Sequence, residues 1–356
     1  MAGSTNQGYI AARFYGMRSR LLNNEDYQRL LTSTDVHTLI SDLRNLPTYK
    51  TVLEERLLLE DPLTAIDSAI NIVLSERIKK TLRLSGGPFK RGFKLLSLKW
   101  ELANVQLAIR SILKQIEYQP YFIPLGDLNQ SELTYLTNCS DLNEALSYLE
   151  SILNPLAHVV RQLIDKNVLP NDFETIDGTF NLFYQNQLRK GVKNIKNRKI
   201  ANIMNKSVKE EREFENTKTI LNYLGKIARG TAFDVPDFSL VIFLGKALIT
   251  PEEVELAVRN KDVRNLHSIL LRTSYKEIIQ QMIEEAGSSR TMQKYVEEVE
   301  KKYFASQIRK RFLRHSFNLG LAYIWQITTE ARNLRILAHG LNNYTQDEIS
   351  RRLIFA

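Results

Sequence analysis

The sequence predicts an all-α protein made of three similar helical units, and three observations carry the prediction. Apolar residues recur at spacings of three and four with no sustained strand-like alternation. All nine prolines fall between these periodic segments, and two short patterns recur three times in the same order. The 356 residues are 43% apolar and 25% charged, values suited to a folded chain with a sizeable core. Wholesale disorder and collagen-like structure are thereby excluded.

Taken along the chain, the helix signals are explicit. Asp61-Pro62 and Thr250-Pro251 each place a capping side chain before a proline at the first helical position, and Glu253 completes a capping box with Thr250. Near the C-terminus, Ile324, Ile327, Ala331, Leu334, Ala338 and Leu341 form the stripe of an amphipathic helix. Linkers are expected at 117–127, with Pro120, Pro124 and Gly126, and at 230–237, with Pro236. They divide the chain into helical repeat domains at 1–120, 121–238 and 239–356.

The first recurring pattern is an aspartate and an aliphatic residue followed by leucines about a turn apart, at Asp35-Val36 to Leu43, Asp141-Leu142 to Leu149, and Asp262-Val263 to Leu270. Thr48-Tyr49-Lys50 and Ser274-Tyr275-Lys276 follow the first and third; Pro155 stands in the second. The other pattern is Glu-x-x-Asn inside a long helix, at Glu101 and Asn104, Glu213 and Asn216, and Glu330 and Asn333. The aspartate-to-glutamate separation is 66, 72 and 68 residues. Positions two before and one, five and eight after each asparagine are apolar in eleven of twelve cases, Thr217 being the exception, so the helix register itself repeats. Glu and Asn three apart share a helix face and could bind a ligand. The preferred reading is structural: such groups at a packing boundary satisfy neighbouring polar groups, because leaving one unpaired costs ~1–3 kcal/mol.

Net charge is +9, concentrated in residues 186–212, which sum to +7, and residues 290–315, which sum to +5. A local basic face attracts nucleic acid, anionic lipid or an acidic protein, or is simply solvated. Lys193, Lys196 and Lys199 are the candidate electrostatic interface. The first segment has no Phe, Tyr or Trp between Arg189 and Arg212, so it lacks the stacking platform of a single-strand binder. In the second, Tyr295, Tyr303, Phe304 and Phe312 are spaced to suit one packed helix face.

Catalytic signals are missing. No G-x-x-x-x-G-K-[ST] loop is present, and Gly86 to Gly92 reads as a flexible turn. The five histidines and the lone Cys139 show no metal-ligand or triad spacing. No catalytic, cofactor or metal residue is therefore expected. No apolar run is long enough to span a bilayer, and the first twenty residues lack a signal-peptide pattern, so a cytoplasmic location is expected.

Ala12-Arg13, Met17-Arg18-Ser19-Arg20-Leu21-Leu22, Tyr27 and Leu30-Leu31 at one end, with the run from Glu330 through Arg332, Asn333 and Arg335 to His339-Gly340 at the other, resemble the C subunit of archaeal and bacterial V-type (A-type) rotary ATPases. This is the counterpart of the d subunit of eukaryotic V-ATPases, and the resemblance covers the whole chain. It implies three similar helical domains in a pseudo-threefold funnel. It also implies a non-catalytic central-stalk role on the cytoplasmic face of the membrane. The partners implied are the D and F subunits of the central shaft and the membrane proteolipid (rotor) ring, with rotation coupled to proton or sodium transport. No specific nucleic acid, small-molecule substrate or cofactor is implied. The alternative is a helical scaffold that binds nucleic acid through 186–212 and 290–315.

Overall fold

The computed structural model describes residues 7–116, 121–169, 172–230, 233, 235, 237–285, 289–313 and 315–355. Pro120 and Pro236 of the expected linkers, and Arg314 of the second basic segment, lie outside the described residues. All regular structure among the described residues is helical. Helix α1 (Gln7–Arg18) is followed by α2 (Asn24–Leu31), α3 (Val36–Arg44), α4 (Lys50–Leu57), α5 (Pro62–Leu84) and α6 (Gly87–Lys114). Next come α7 (Gln130–Thr137), α8 (Leu142–Ser151), α9 (Ala157–Asp165), α10 (Phe173–Lys193) and α11 (Arg198–Ala228). A further five are α12 (Pro251–Arg259), α13 (Val263–Leu271), α14 (Lys276–Glu284), α15 (Ser289–Arg309) and α16 (Ser316–Gly340), before a final α17 (Gln346–Arg352). Each group of five has three helices of eight to ten residues and then two of 21 to 31.

The caps explain these boundaries. Asp35 and Asp262 accept the backbone N–H three residues on and open α3 and α13, and Asp141 immediately precedes α8. Thr250 and Glu253 form the reciprocal capping box of α12. Tyr49 and Tyr275 occupy the position before α4 and α14, and Leu156, just after Pro155, that before α9. The expected flexible turn at Gly86 to Gly92 is instead a helix start. Gly86 is the cap, Gly87 enters at φ +48° without a Cβ penalty, and Pro88 sits in the first turn, where its missing N–H is not needed.

The chain forms two compact units, one of Met1–Asp141 with Phe304–Ala356 and one of Leu142–Tyr303. In the first, α16 packs on α5 and α1, and α2 meets α17. Phe14 meets Phe93 edge-on at 6.0 Å, and Phe93 stacks on Phe317 at 4.7 Å. The stripe expected on α16 is too narrow a description: Ser316 to Ile327 are buried without a break. Gly320 is part of the reason, since it brings the helix backbone close under the Phe14 and Phe93 rings. In the second unit α11 packs on α10 and α13, and Phe214 stacks on Tyr303 at 4.1 Å. Tyr295, Tyr303 and Phe304 are buried, as their spacing suggests, but Phe312 is 73% exposed. Helix α15 stops at Arg309, and the 3₁₀ turn Lys310–Phe312 breaks the periodicity that would have carried Phe312 to the packed face.

Candidate functional site

The three Glu–Asn pairs are buried on α6, α11 and α16. Each asparagine uses its amide in the same way, gripping both the N–H and the C=O of one apolar residue further along the chain. Asn104 Oδ1 accepts from the Ile123 N–H at 2.9 Å while its Nδ2 donates to the Ile123 carbonyl at 2.6 Å. Asn216 does this to Phe243, at 3.1 and 2.7 Å. Asn333 does it to Ile354, at 3.1 and 2.9 Å. A carboxamide carries one donor group and one acceptor in a plane, so it mimics a paired backbone unit for a segment that has no strand or helix partner.

The glutamates are less uniform. Glu330 accepts from the Leu22 N–H at 2.8 Å, from the Tyr49 hydroxyl at 2.7 Å and from Arg77, an ion pair at 2.5 Å whose partners are 12% and 3% exposed. Burial, with Glu330's charge beside it, holds the Tyr49 phenol well above its ordinary pKa. Glu213 accepts the Ser274 N–H at 2.7 Å and its hydroxyl at 3.2 Å. Glu101 accepts a backbone bond from Asp127, yet burial dominates and raises its pKa. Gly126 lies against it at φ +116°, so close that an added Cβ would come within 2.6 Å of Glu101 Cγ.

Thus the six repeat residues secure backbone and neighbouring side chains. Sequence reasoning did not find Arg77, which sits mid-helix in α5, 253 residues from its partner, with no local spacing to mark it. It also did not find Asp67, which is buried and meets His339 Nε2 at 2.8 Å and Arg335 Nε at 3.6 Å. The basic candidates are exposed and close in sequence: Lys193 ends α10, Lys196 lies in the connection at 194–197, and Lys199 is in the first turn of α11. Arg189, Lys190 and Arg198 are exposed beside them.

Among the described residues no His, Cys, Asp and Glu cluster could hold a metal ion, and no helix is long and apolar enough to cross a membrane. Among the described residues all regular structure is helical, and the buried repeat residues bind backbone and side chains of the chain itself. The chain is a member of the ATP synthase (C/AC39) subunit family, whose pattern it matches over residues 10–352. It is 22% identical to the C subunit of the A-type ATP synthase of Methanocaldococcus jannaschii, across 97% of this chain and 86% of that protein. Identity is 21% to the corresponding A-type ATP synthase subunits of Pyrococcus abyssi and Thermococcus kodakarensis, each across 98% of this chain and 90% of theirs. The family is that of a structural component of the ATP synthase, not the catalytic one.

Proposed function

We propose that this chain is a central-stalk socket of a V-type/A-type rotary ATPase, coupling the rotating D and F shaft to the proteolipid ring for proton or sodium transport. It would lie peripherally on the cytoplasmic face of the membrane. The observation that supports this reading most directly is the threefold recurrence of one five-helix order, with an asparagine backbone clamp at the same place in each group. Such recurrence suits a part built from three equivalent domains around an axis, bounded near 120 and 238. A socket needs stiffness more than chemistry, and the buried ion pair and clamps favour stiffness. The exposed lysines between α10 and α11 supply an electrostatic docking surface for the rotor or for anionic headgroups.

Affinity purification of a tagged copy from its own cells tests the reading. Shaft and proteolipid subunits should accompany it in stoichiometric amount. Their absence, with RNA recovered in their place, would transfer the case to the nucleic-acid scaffold.

A further inference from the structure

A cavity of about 620 Å³ opens in the unit of residues 1–141 and 304–356, lined by Arg18, Arg311, Gln326 and Glu330 among others. Arg18 ends α1, Arg311 lies in the turn after α15, and Gln326 is one helical turn before Glu330 on α16. Arg18 and Arg311 are each half-buried as residues, and the Arg311 guanidinium lies 4.7 Å from the centre of the Phe312 ring. Burial first, and the charge of Arg311 second, lower the pKa of Arg18. Among the described residues neither arginine forms an ion pair with a carboxylate. Arg18 Nε and Gln326 Oε1 are both buried without a hydrogen-bond partner, and Gln326 as a whole is only 9% exposed. Two like charges drawn partly out of water with no counter-charge are unfavourable unless something offsets them. The carboxylates in the wall do not. Glu330 is engaged by Arg77, Tyr49 and Leu22, and Glu25, exposed at the start of α2, pairs with neither arginine.

We propose that this cavity binds a small phosphate-class oxyanion between the guanidinium groups of Arg18 and Arg311. Donor geometry selects the class: two guanidinium groups lining one space favour an anion that offers several oxygens, as phosphate does, over a single carboxylate. A guanidinium offers paired N–H donors that match two oxygens of one phosphate, and Arg18 Nε is such a donor left unused. A protonated phosphate oxygen, or a hydroxyl of a phosphate ester, is a donor of the kind that Gln326 Oε1 lacks. The volume exceeds that of phosphate alone and falls in the range of pockets for small organic ligands, so a phosphate ester fits the space. This site goes beyond the rotor reading and stands whether or not that reading does.

Isothermal titration of the full chain with inorganic phosphate, against acetate and chloride at matched ionic strength, tests the proposal. Saturable phosphate binding with none for acetate or chloride is expected. Arg311→Ala should weaken it at least tenfold, and so should Arg18→Ala. Lys193→Glu, at the basic α10–α11 turn, should leave it unchanged. Arg18→Lys and Arg311→Lys, which keep charge but lose the planar fork, cover the chance that an alanine variant fails to fold, and each should still weaken binding measurably. The proposal falls if phosphate produces no more heat than chloride or if acetate binds equally well. It falls too if folded Arg18 and Arg311 variants bind as the parent does, or if Lys193→Glu abolishes binding to the same degree.

Discussion

Glu101 is the repeat glutamate whose burial raises its pKa, and that makes stability depend on pH. Its folded pKa lies above that of the unfolded chain because desolvation disfavours the carboxylate. The folded state therefore holds the proton more tightly. Its stabilising contribution is complete below the ordinary carboxylate pKa and is lost as pH rises through the raised folded value. Glu101→Gln keeps an acceptor for the Asp127 backbone and removes the titration. Urea unfolding at pH 4 and pH 8 should show the parent losing stability over that interval relative to the variant; parallel slopes would refute the assignment.

Other single positions test the repeat register. Val105, Thr217 and Leu334, each just after a repeat asparagine, are all buried. Val105→Asp and Leu334→Asp would each bury an unpaired carboxylate and should destabilise strongly. Leu334→Ala should cost ~2–5 kcal/mol. Thr217→Val should be near neutral, because the Thr217 hydroxyl donates at 2.7 Å only to the Glu213 carbonyl, one turn back in the same helix. Thermal unfolding of the four proteins reads all of this, and tolerance of both aspartates would mean the register is misplaced.

At the scale of elements, the starts of α5 and α12 were legible because capping is local: Asp61 and Thr250 act on amides two or three residues away, and Asp35 and Asp262, read only as a recurring pattern, act in the same way. The asparagine clamps were only half legible. Their positions recur in sequence, but their targets, Ile123, Phe243 and Ile354, lie 19, 27 and 21 residues on, in irregular backbone that no periodicity marks. The full burial of the first half of α16 was hidden for a similar reason, since it depends on which helices surround it. Gly320 makes that dependence testable. An added Cβ would stand 2.8 Å from Phe14 Cζ and collide with Phe93, so Gly320→Ala should lose ~1–3 kcal/mol by overpacking, although alanine favours helix. A rise in melting temperature would contradict that packing.

The α10–α11 connection is the element to test for docking. Reversing Lys193, Lys196 and Lys199 to Glu should weaken assembly into the ATPase at low salt and leave helical circular dichroism unchanged. The difference should fade as salt rises, since screening acts over about 8 Å at physiological ionic strength. Assembly indifferent to the reversal would leave these lysines as a solvated face.

At the scale of the whole molecule, the unit of residues 1–141 with 304–356 is completed from both ends of the described chain. Glu330 on α16 holds Leu22, Tyr49 and Arg77, and Phe14 and Phe93 pack beside Phe317 and Gly320. A chain stopped after residue 303 should keep protected amides within 142–303 and lose protection in α5 and α6, as hydrogen exchange would report. Equal protection of α5 and α6 in the shortened chain would show that α16 is not needed to fold them.

That arrangement sets an order of events during synthesis. The ribosome adds some 5–20 residues per second, and segments generally fold as their contacts emerge. Residues 142–303 can close on themselves as they leave the exit tunnel, whereas α5 and α6, made earlier, must wait for α16 with their apolar faces uncovered. Arg77 meanwhile has water in place of its carboxylate. The older part of the nascent chain is the last to settle, and for that interval it is the part most exposed to chaperones, proteases and aggregation.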